Sequence, residues 1–409
     1  MRSRIPALCL LALAACGKSP PPEGTTVEVA ILATTDLHAN VLSYDYFKLA
    51  ANQTFGLERT ATLVARARAE FPNTVLVDDG DTIQGTVLGD YQAVVQPVAC
   101  NQALAIHKVM NAMRYDVGNV GNHEFNYGLP FLSQVTDRSF QVVGVAGAAG
   151  CAAPAYPLVL SNVYSASGGA PIFEPYQLLS RSFQATAPNG ASLQVPIEIG
   201  VIGFTPPQVM TWDKGKLYGK VYSTGITDAA NQYVPSMRRS GADLVVALAH
   251  SGLDPNPASP NMENASWHLS KVPGIDAMVL GHSHDVFPNP GVATSVFNAM
   301  PDVDNTKGLV NGVPAVMAAS WGSRLGVIRL VLEYANGAWQ VKPEETHVES
   351  RSTRNQDGTY VDPDATVAPM VDAEHQATIN YVKTPVGSTD FRMATWFALV
   401  GDVSALQIV

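Results

Sequence analysis

Polar groups recur in this chain wherever a short apolar, β-branched run comes to an end. Asp36 and His38 follow VEVAILATT, Asp81 follows TVLVDDG, and Asn122 and His123 follow VGNVG. His250 ends ADLVVALAH, and His282 and His284 close IDAMVLGHSH. Two carboxylates, four of these five imidazoles and one amide carbonyl make a donor set suited to a pair of borderline divalent ions such as Zn²⁺ or Mn²⁺. In Asp-x-His and His-x-His the outer side chains of an extended segment share a face, so both can turn toward one pocket. Asp81, placed just after Gly80, offers two oxygens with which to bridge two ions. Asn122 supplies a neutral carbonyl. Its neighbour His123 cannot easily reach the same ion with good geometry, which frees that ring for proton transfer or for contact with a bound anion. Taken singly, Asp36, Asp81 and Asn122 also suit helix caps or turns, and His250 suits a satisfied core histidine. The ordered set is what argues for chemistry.

The elements that must position these groups follow from periodicity. Strands are expected at 27–35, 74–81, 197–205, 242–252, 275–284, 313–320 and 325–334, and helices at 55–70, around 102–113 and at about 364–383. Strands alternating with helices early and a run of strands later suggest a layered α/β sandwich, and open α/β sheets bind ligands beyond the carboxyl ends of their strands. The chain of 409 residues is 46% hydrophobic and 15% charged, enough to bury a sizeable core. Its net charge of −10 gives no electrostatic footprint for duplex nucleic acid or an anionic membrane. An anionic substrate would need a local positive centre, which a metal ion could supply. The DDGDT run lacks the carboxylate spacing of an EF-hand loop, and no G-x-S-x-G elbow is present.

The first residues read as an export signal: Arg2 and Arg4, a short apolar run, then LAAC ending at Cys16. The expectation is a lipoprotein signal over 1–15, lipidated Cys16 as the only membrane attachment, and a polar tether over 16–26; a plain signal peptide cut nearby is the alternative. Cys100 and Cys151 then face an oxidising compartment, where they either pair or stay two buried thiols.

The order D-x-H, G-D, G-N-H-E, H, G-H-x-H resembles the calcineurin-like metallophosphoesterases. DLHANVLSYDYFK, VLVDDGDTIQGTVLGDY, GNHEFNYGL, GHSHDVFP and WGSRLGVI are similar to the periplasmic 2′,3′-cyclic-nucleotide 2′-phosphodiesterase/3′-nucleotidases of the 5′-nucleotidase family. The resemblance implies an α/β fold, a four-layer α/β/β/α sandwich over 27–350, a linker and linking helix over 351–383, and a truncated opening of a C-terminal nucleotide-binding domain over 384–409. It implies two divalent metal ions (Mn, Zn, Co or Mg), with Asp36, His38 and His284 on the first, Asn122, His250 and His282 on the second, and Asp81 between them. It makes His123 the catalytic histidine, with Asn126 where the wider family carries an orienting Asp. An amide accepts the imidazole N–H but cannot stabilise an imidazolium by charge. The implied reaction is two-metal hydrolysis of 2′,3′-cyclic nucleotides and 3′-nucleotides, in an exported, periplasmic setting. A 5′-nucleotidase or UDP-sugar hydrolase of the same family, or an exported binding or remnant protein, stays open. With the base-stacking domain expected to be cut short, hydrolysis of small activated diesters is expected to outstrip discrimination among nucleotides.

Overall fold

The computed structural model describes residues 20–388 and 390; the expected signal peptide, Cys16 and most of the expected C-terminal opening at 384–409 lie outside them. Alternation along the strands builds the architecture. In the Thr26–Thr34 strand, Val27, Val29, Ile31 and Ala33 enter one apolar cluster while Ala30 and Leu32 enter another. In the Leu244–Ala249 strand, Leu244, Val246 and Leu248 enter that same middle cluster while Val245, Ala247 and Ala249 enter a third. Three apolar layers separated by two sheets make four layers of structure, α/β/β/α.

The first sheet half runs Leu158–Val159, Val117–Asn119, Thr74–Asp78, Thr26–Thr34 and Arg324–Ala335, with the first four parallel and the last antiparallel. The second runs Tyr176–Thr186, Ser192–Phe204, Leu244–Ala249, Ala277–Leu280 and Val313–Ala318, parallel from Ser192–Phe204 onward. The halves pair as strands where Thr26 and Val27 meet Thr186 and Ala185. Helices Leu57–Glu70 and Ala105–Met113 cover the first half, and Ile226–Arg239 covers the second.

Several elements differ from the periodicity reading. The expected strand at 197–205 is the end of a longer one, Ser192–Phe204, in a hairpin with Tyr176–Thr186. The polar face of that hairpin is exposed, which hid its partner from a search for buried runs. Part of the polar 350–363 stretch is strand: His347–Ser352 pairs with Arg324–Arg329. The final helix spans Val367–Val382. Its Val367 and Val371 enter the first apolar cluster, and Lys108–Glu374 and Tyr46–His375 contacts hold it to the body. No helix among the described residues is long and apolar enough to cross a membrane.

Cys100 and Cys151 are joined in a disulfide that closes a 51-residue separation. Closing a loop of that length stabilises the fold by about 4 kcal/mol in the chain-entropy description. The Cys100→Ser/Cys151→Ser double variant should therefore unfold at lower urea with a loss of about 2–4 kcal/mol. A midpoint unchanged in non-reducing buffer would contradict this.

His107 lies in the Ala105–Met113 helix, 3% exposed, and its Nδ1 has no hydrogen-bond partner. Burial drives its pKa down to about 4. The unfolded chain takes up this proton near pH 6.5, the folded chain only near 4. The neutral histidine's stability contribution is thus complete above pH 6.5 and is lost as the pH falls toward 4, by about 3 kcal/mol. In parallel thermal melts, His107→Leu should gain on the wild type as the pH falls through that window; a constant difference in Tm would refute the assignment.

Candidate metal centre

Each predicted ligand sits just beyond a parallel strand. Asp36 and His38 follow Thr34, Asp81 follows Asp78, Asn122 follows Asn119, His250 follows Ala249, and His282 and His284 follow Leu280. The chain turns sharply at these points. Asp36, His38, Asp81, His282 and His284 all have left-handed backbones, with φ of 51°, 48°, 55°, 69° and 57°. Gly121 allows two of the turns to touch, since a Cβ there would stand 2.3 Å from Asp81 Oδ1.

The side chains converge in three overlapping groups: Asp36–His38–His284, Asp81–His250–His282 and His38–Asp81–His123. His284 Nε2 lies 3.2 Å from Asp36 Oδ1, and His38 Nε2 lies 3.1 Å from His284 Nε2. His250 Nε2 stands 2.8 Å from Asp81 Oδ2 and 3.7 Å from Asp36 Oδ1. Asp81 belongs to two of the groups, the position from which a carboxylate spans two ions.

The residues fit a metal pair on grounds of their own. Asn122 Oδ1 and His250 Nε2 are buried, and neither has a properly aligned hydrogen-bond partner. The short approach of His250 Nε2 to Asp81 Oδ2 is a charge contact without hydrogen-bond alignment. Buried polar atoms left unpaired are costly, and a cation between them satisfies both. The electrostatics agree. Burial pushes the Asp81 carboxyl up, but His250, His38 and His123 outweigh it and hold it below the ordinary range. Burial likewise opposes charge on His250, yet Asp81, Asp36 and Asp79 raise it well above the usual imidazole value. The cleft wants positive charge beside its carboxylates, and in the bare protein a histidine provides it.

A second set of groups fixes the first. Glu124 accepts from the backbone N–H groups of Gly121 at 2.7 Å, Asp81 at 2.9 Å and Thr82 at 2.5 Å, tying the two ligand-bearing turns together. Burial and the nearby Asp81 raise its pKa to about 7. Glu124 thus hydrogen-bonds behind the site, and Phe125 packs into the first apolar cluster. Asp81 Oδ1 accepts from His123 N at 2.7 Å, and Asp36 accepts from His282 N. Asp79 O meets His250 Nδ1 at 3.0 Å, and Gln84 O meets His38 Nδ1 at 2.7 Å, leaving each ring's Nε2 to face the cleft. Glu263 Oε1 holds His282 Nε2 at 2.9 Å, the kind of carboxylate partner that orients ligating histidines.

His123 Nδ1 meets Asn126 Oδ1 at 2.6 Å and Gln84 Oε1 at 2.7 Å, while its Nε2 lies 3.9 Å from Asp81 Oδ2. Asn126 therefore stands behind the ring as its sequence position implied. Trp212 stacks on His282 at 5.5 Å, and Trp321 meets His284 edge-on at 6.2 Å; both are nearly half exposed, so they form the rim. Arg324 serves the sheet through Ser350 O, and Asn162 latches Thr205 and Thr224. The sequence reading missed Gln84, Asp79, Asp213 and Glu263. Asp79 lay inside a quoted acidic run; the others carried no local signal.

Comparison with known proteins matches this picture. A model of the calcineurin-like phosphoesterase family matches residues 29–286. A 2′,3′-cyclic-nucleotide 2′-phosphodiesterase/3′-nucleotidase of Yersinia enterocolitica is 39% identical over 405 residues, 98% of this chain and 58% of that protein. Its namesake in Salmonella typhimurium is 40% identical over 384 residues, 94% of this chain and 56% of that protein. The chain thus spans less than two thirds of these relatives' length. Among solved structures, the calcineurin-like phosphoesterase YfkN from Bacillus subtilis superposes with a TM-score of 0.76 at 38% identity, covering 88% of this chain and 100% of that one. A strand order that brings six of the predicted ligand side chains to one cleft, and a family match spanning all of those positions, lead to one assignment: this chain belongs to the calcineurin-like phosphoesterase family.

Proposed function

We propose that this chain hydrolyses phosphoesters, with 2′,3′-cyclic nucleotides and 3′-nucleotides as substrates. The observation that carries the reading is the convergence of Asp36, His38, Asp81, His250, His282 and His284, together with Asn122 Oδ1 and His250 Nε2, which are buried and unpartnered. The cyclic-nucleotide choice rests on relatives named for that activity.

Asp36, His38 and His284 would hold one divalent ion, Asn122, His250 and His282 the other, and Asp81 both. The ions would supply Lewis acidity toward the phosphoryl oxygens and make an attacking water more acidic. His123 does the rest of the proton work. Its Nδ1 is occupied by Asn126 and Gln84, so Nε2 is the atom that faces the cleft. As water forms its bond to phosphorus and the bond from phosphorus to the ribose 2′ oxygen breaks, the imidazolium form of His123 would pass its Nε2 proton to that oxygen and keep the Nδ1 proton, ending as the neutral Nδ1–H ring. The cleft holds the Asp36 and Asp81 carboxylates, which repel anions, so phosphate binding would depend on the ions. Export to an oxidising compartment, with a tether at Cys16, completes the reading; the LAAC motif and the Cys100–Cys151 disulfide support it.

The test uses the purified chain, stripped of metal and reloaded with Mn²⁺ or Zn²⁺, against 2′,3′-cyclic AMP, 3′-AMP, 5′-AMP and bis-p-nitrophenyl phosphate. Metal-dependent turnover of the first two is expected. Turnover of 5′-AMP alone would favour a 5′-nucleotidase, and two bound ions without turnover would favour a binding or remnant protein. Asp81→Asn should lower the bound metal per chain, measured by elemental analysis, and cut kcat by at least ~100-fold. A variant with full metal content and rate would refute the bridging role.

A further inference from the structure

Behind His123 the hydrogen bonds do not stop at Asn126. Asn126 Nδ2 donates to Asp213 Oδ2 at 2.7 Å, and Asp213 Oδ1 is salt-bridged to Lys216 Nζ at 3.0 Å. Lys216 also donates to the backbone oxygen of Asn126. Asp213 is buried, 6% exposed, and lies between two single-turn helices, Val209–Trp212 and Lys214–Leu217. An aspartate there ordinarily caps the second turn, but this side chain makes no capping hydrogen bond. Both of its oxygens are committed instead to Asn126 and Lys216.

We propose that Asp213 is a positioning residue for His123, acting through the Asn126 amide. A carboxylate paired with lysine only accepts hydrogen bonds, so it selects the N–H₂ end of Asn126. The amide must then turn its oxygen toward His123. An oxygen on Nδ1 requires the proton to sit on Nδ1, which fixes the tautomer and aims Nε2 at the cleft. Asn126 and Asp213 together thus do what one orienting carboxylate does when it contacts the ring directly. The charge is moved one residue outward and neutralised by Lys216, while the orientation is kept. Gln84 Oε1 shares Nδ1 but has no comparable anchor among the described contacts.

The inference rests on His123 being the proton donor of the proposed reaction, and the test separates the two. Turnover of 2′,3′-cyclic AMP, whose ribose oxygen needs a proton to leave, is read with metal-loaded protein alongside the ¹⁵N shifts of His123 in metal-free protein. In the wild type the ring should carry its proton on Nδ1. Asp213→Ala should give mixed tautomers and lower kcat about 10- to 100-fold, part of what a positioned acid contributes. KM should change less than ~2-fold. Adding Asn126→Asp to Asp213→Ala should restore kcat, because an oxygen-only acceptor then meets the ring directly. Asn126→Asp with Asp213 intact should lower kcat, because two carboxylates would face each other across 2.7 Å. This reversal of sign is not what a merely structural aspartate would produce. If Asp213→Ala does not fold, Asp213→Asn carries the same comparison. A neutral wild-type ring protonated on Nε2 instead of Nδ1, or a variant unchanged in tautomer and kcat, would overturn the inference. Absence of wild-type turnover would count against the functional reading alone, and the nitrogen shifts would still decide this one.

Discussion

Two buried carboxylates, Asp36 and Asp81, share one cleft at the meeting of two sheets, and the surrounding structure answers the cost of placing them there. Like charges in a dry site are tolerated only if opposite charge and hydrogen-bond donors surround them. The protein supplies both. Imidazoles of His250, His38 and His284 stand within 4 Å of these oxygens, and the backbone N–H groups of His123 and His282 point at them. Glu124 then gathers the N–H groups of the turn that carries Asp81, so that turn cannot move away from the Gly121 turn. The result is a cleft preorganised to hold positive charge beside its carboxylates.

The backbone bears part of the strain. Left-handed conformations are uncommon outside glycine, and imidazole and carboxylate side chains tolerate them better than β-branched ones do. Five ligand positions adopt them, each directly after a strand, where the chain must reverse without lengthening the loop. Such clustering marks places where the fold over-determines the local geometry. The surrounding strands, fully buried on both faces, are what hold it.

The metal-type residues were legible because they are local to strand ends: a run of buried residues followed at once by Asp, His or Asn needs no tertiary knowledge to interpret. The same locality made the parallel strands readable and the sandwich a fair expectation. What failed to show was whatever depended on chain returning from elsewhere. Asp213 sits in TWDKGK, with no periodicity and no motif, and matters only because folding carries it to Asn126. Glu263 reaches His282 from a loop, and the Tyr176–Thr186 strand escaped notice because one of its faces is wet. Pro235 inside the Ile226–Arg239 helix obscured that element in a similar way.

The seam position of the site has a consequence of its own. Asp36 and His38 come from one sheet half and His284 from the other; Asp81 comes from the first, and His250 and His282 from the second. Neither group of ligands is complete within a single sheet. The width of each group is therefore set by the middle apolar layer, in which Val29, Ile31, Val246 and Val279 keep the sheets apart. Those aliphatic side chains touch no polar partner in the cleft, yet they gauge it. Their packing sets how far apart the two rows of strand ends stand, so the dry interior of this protein is also the calliper of its cleft.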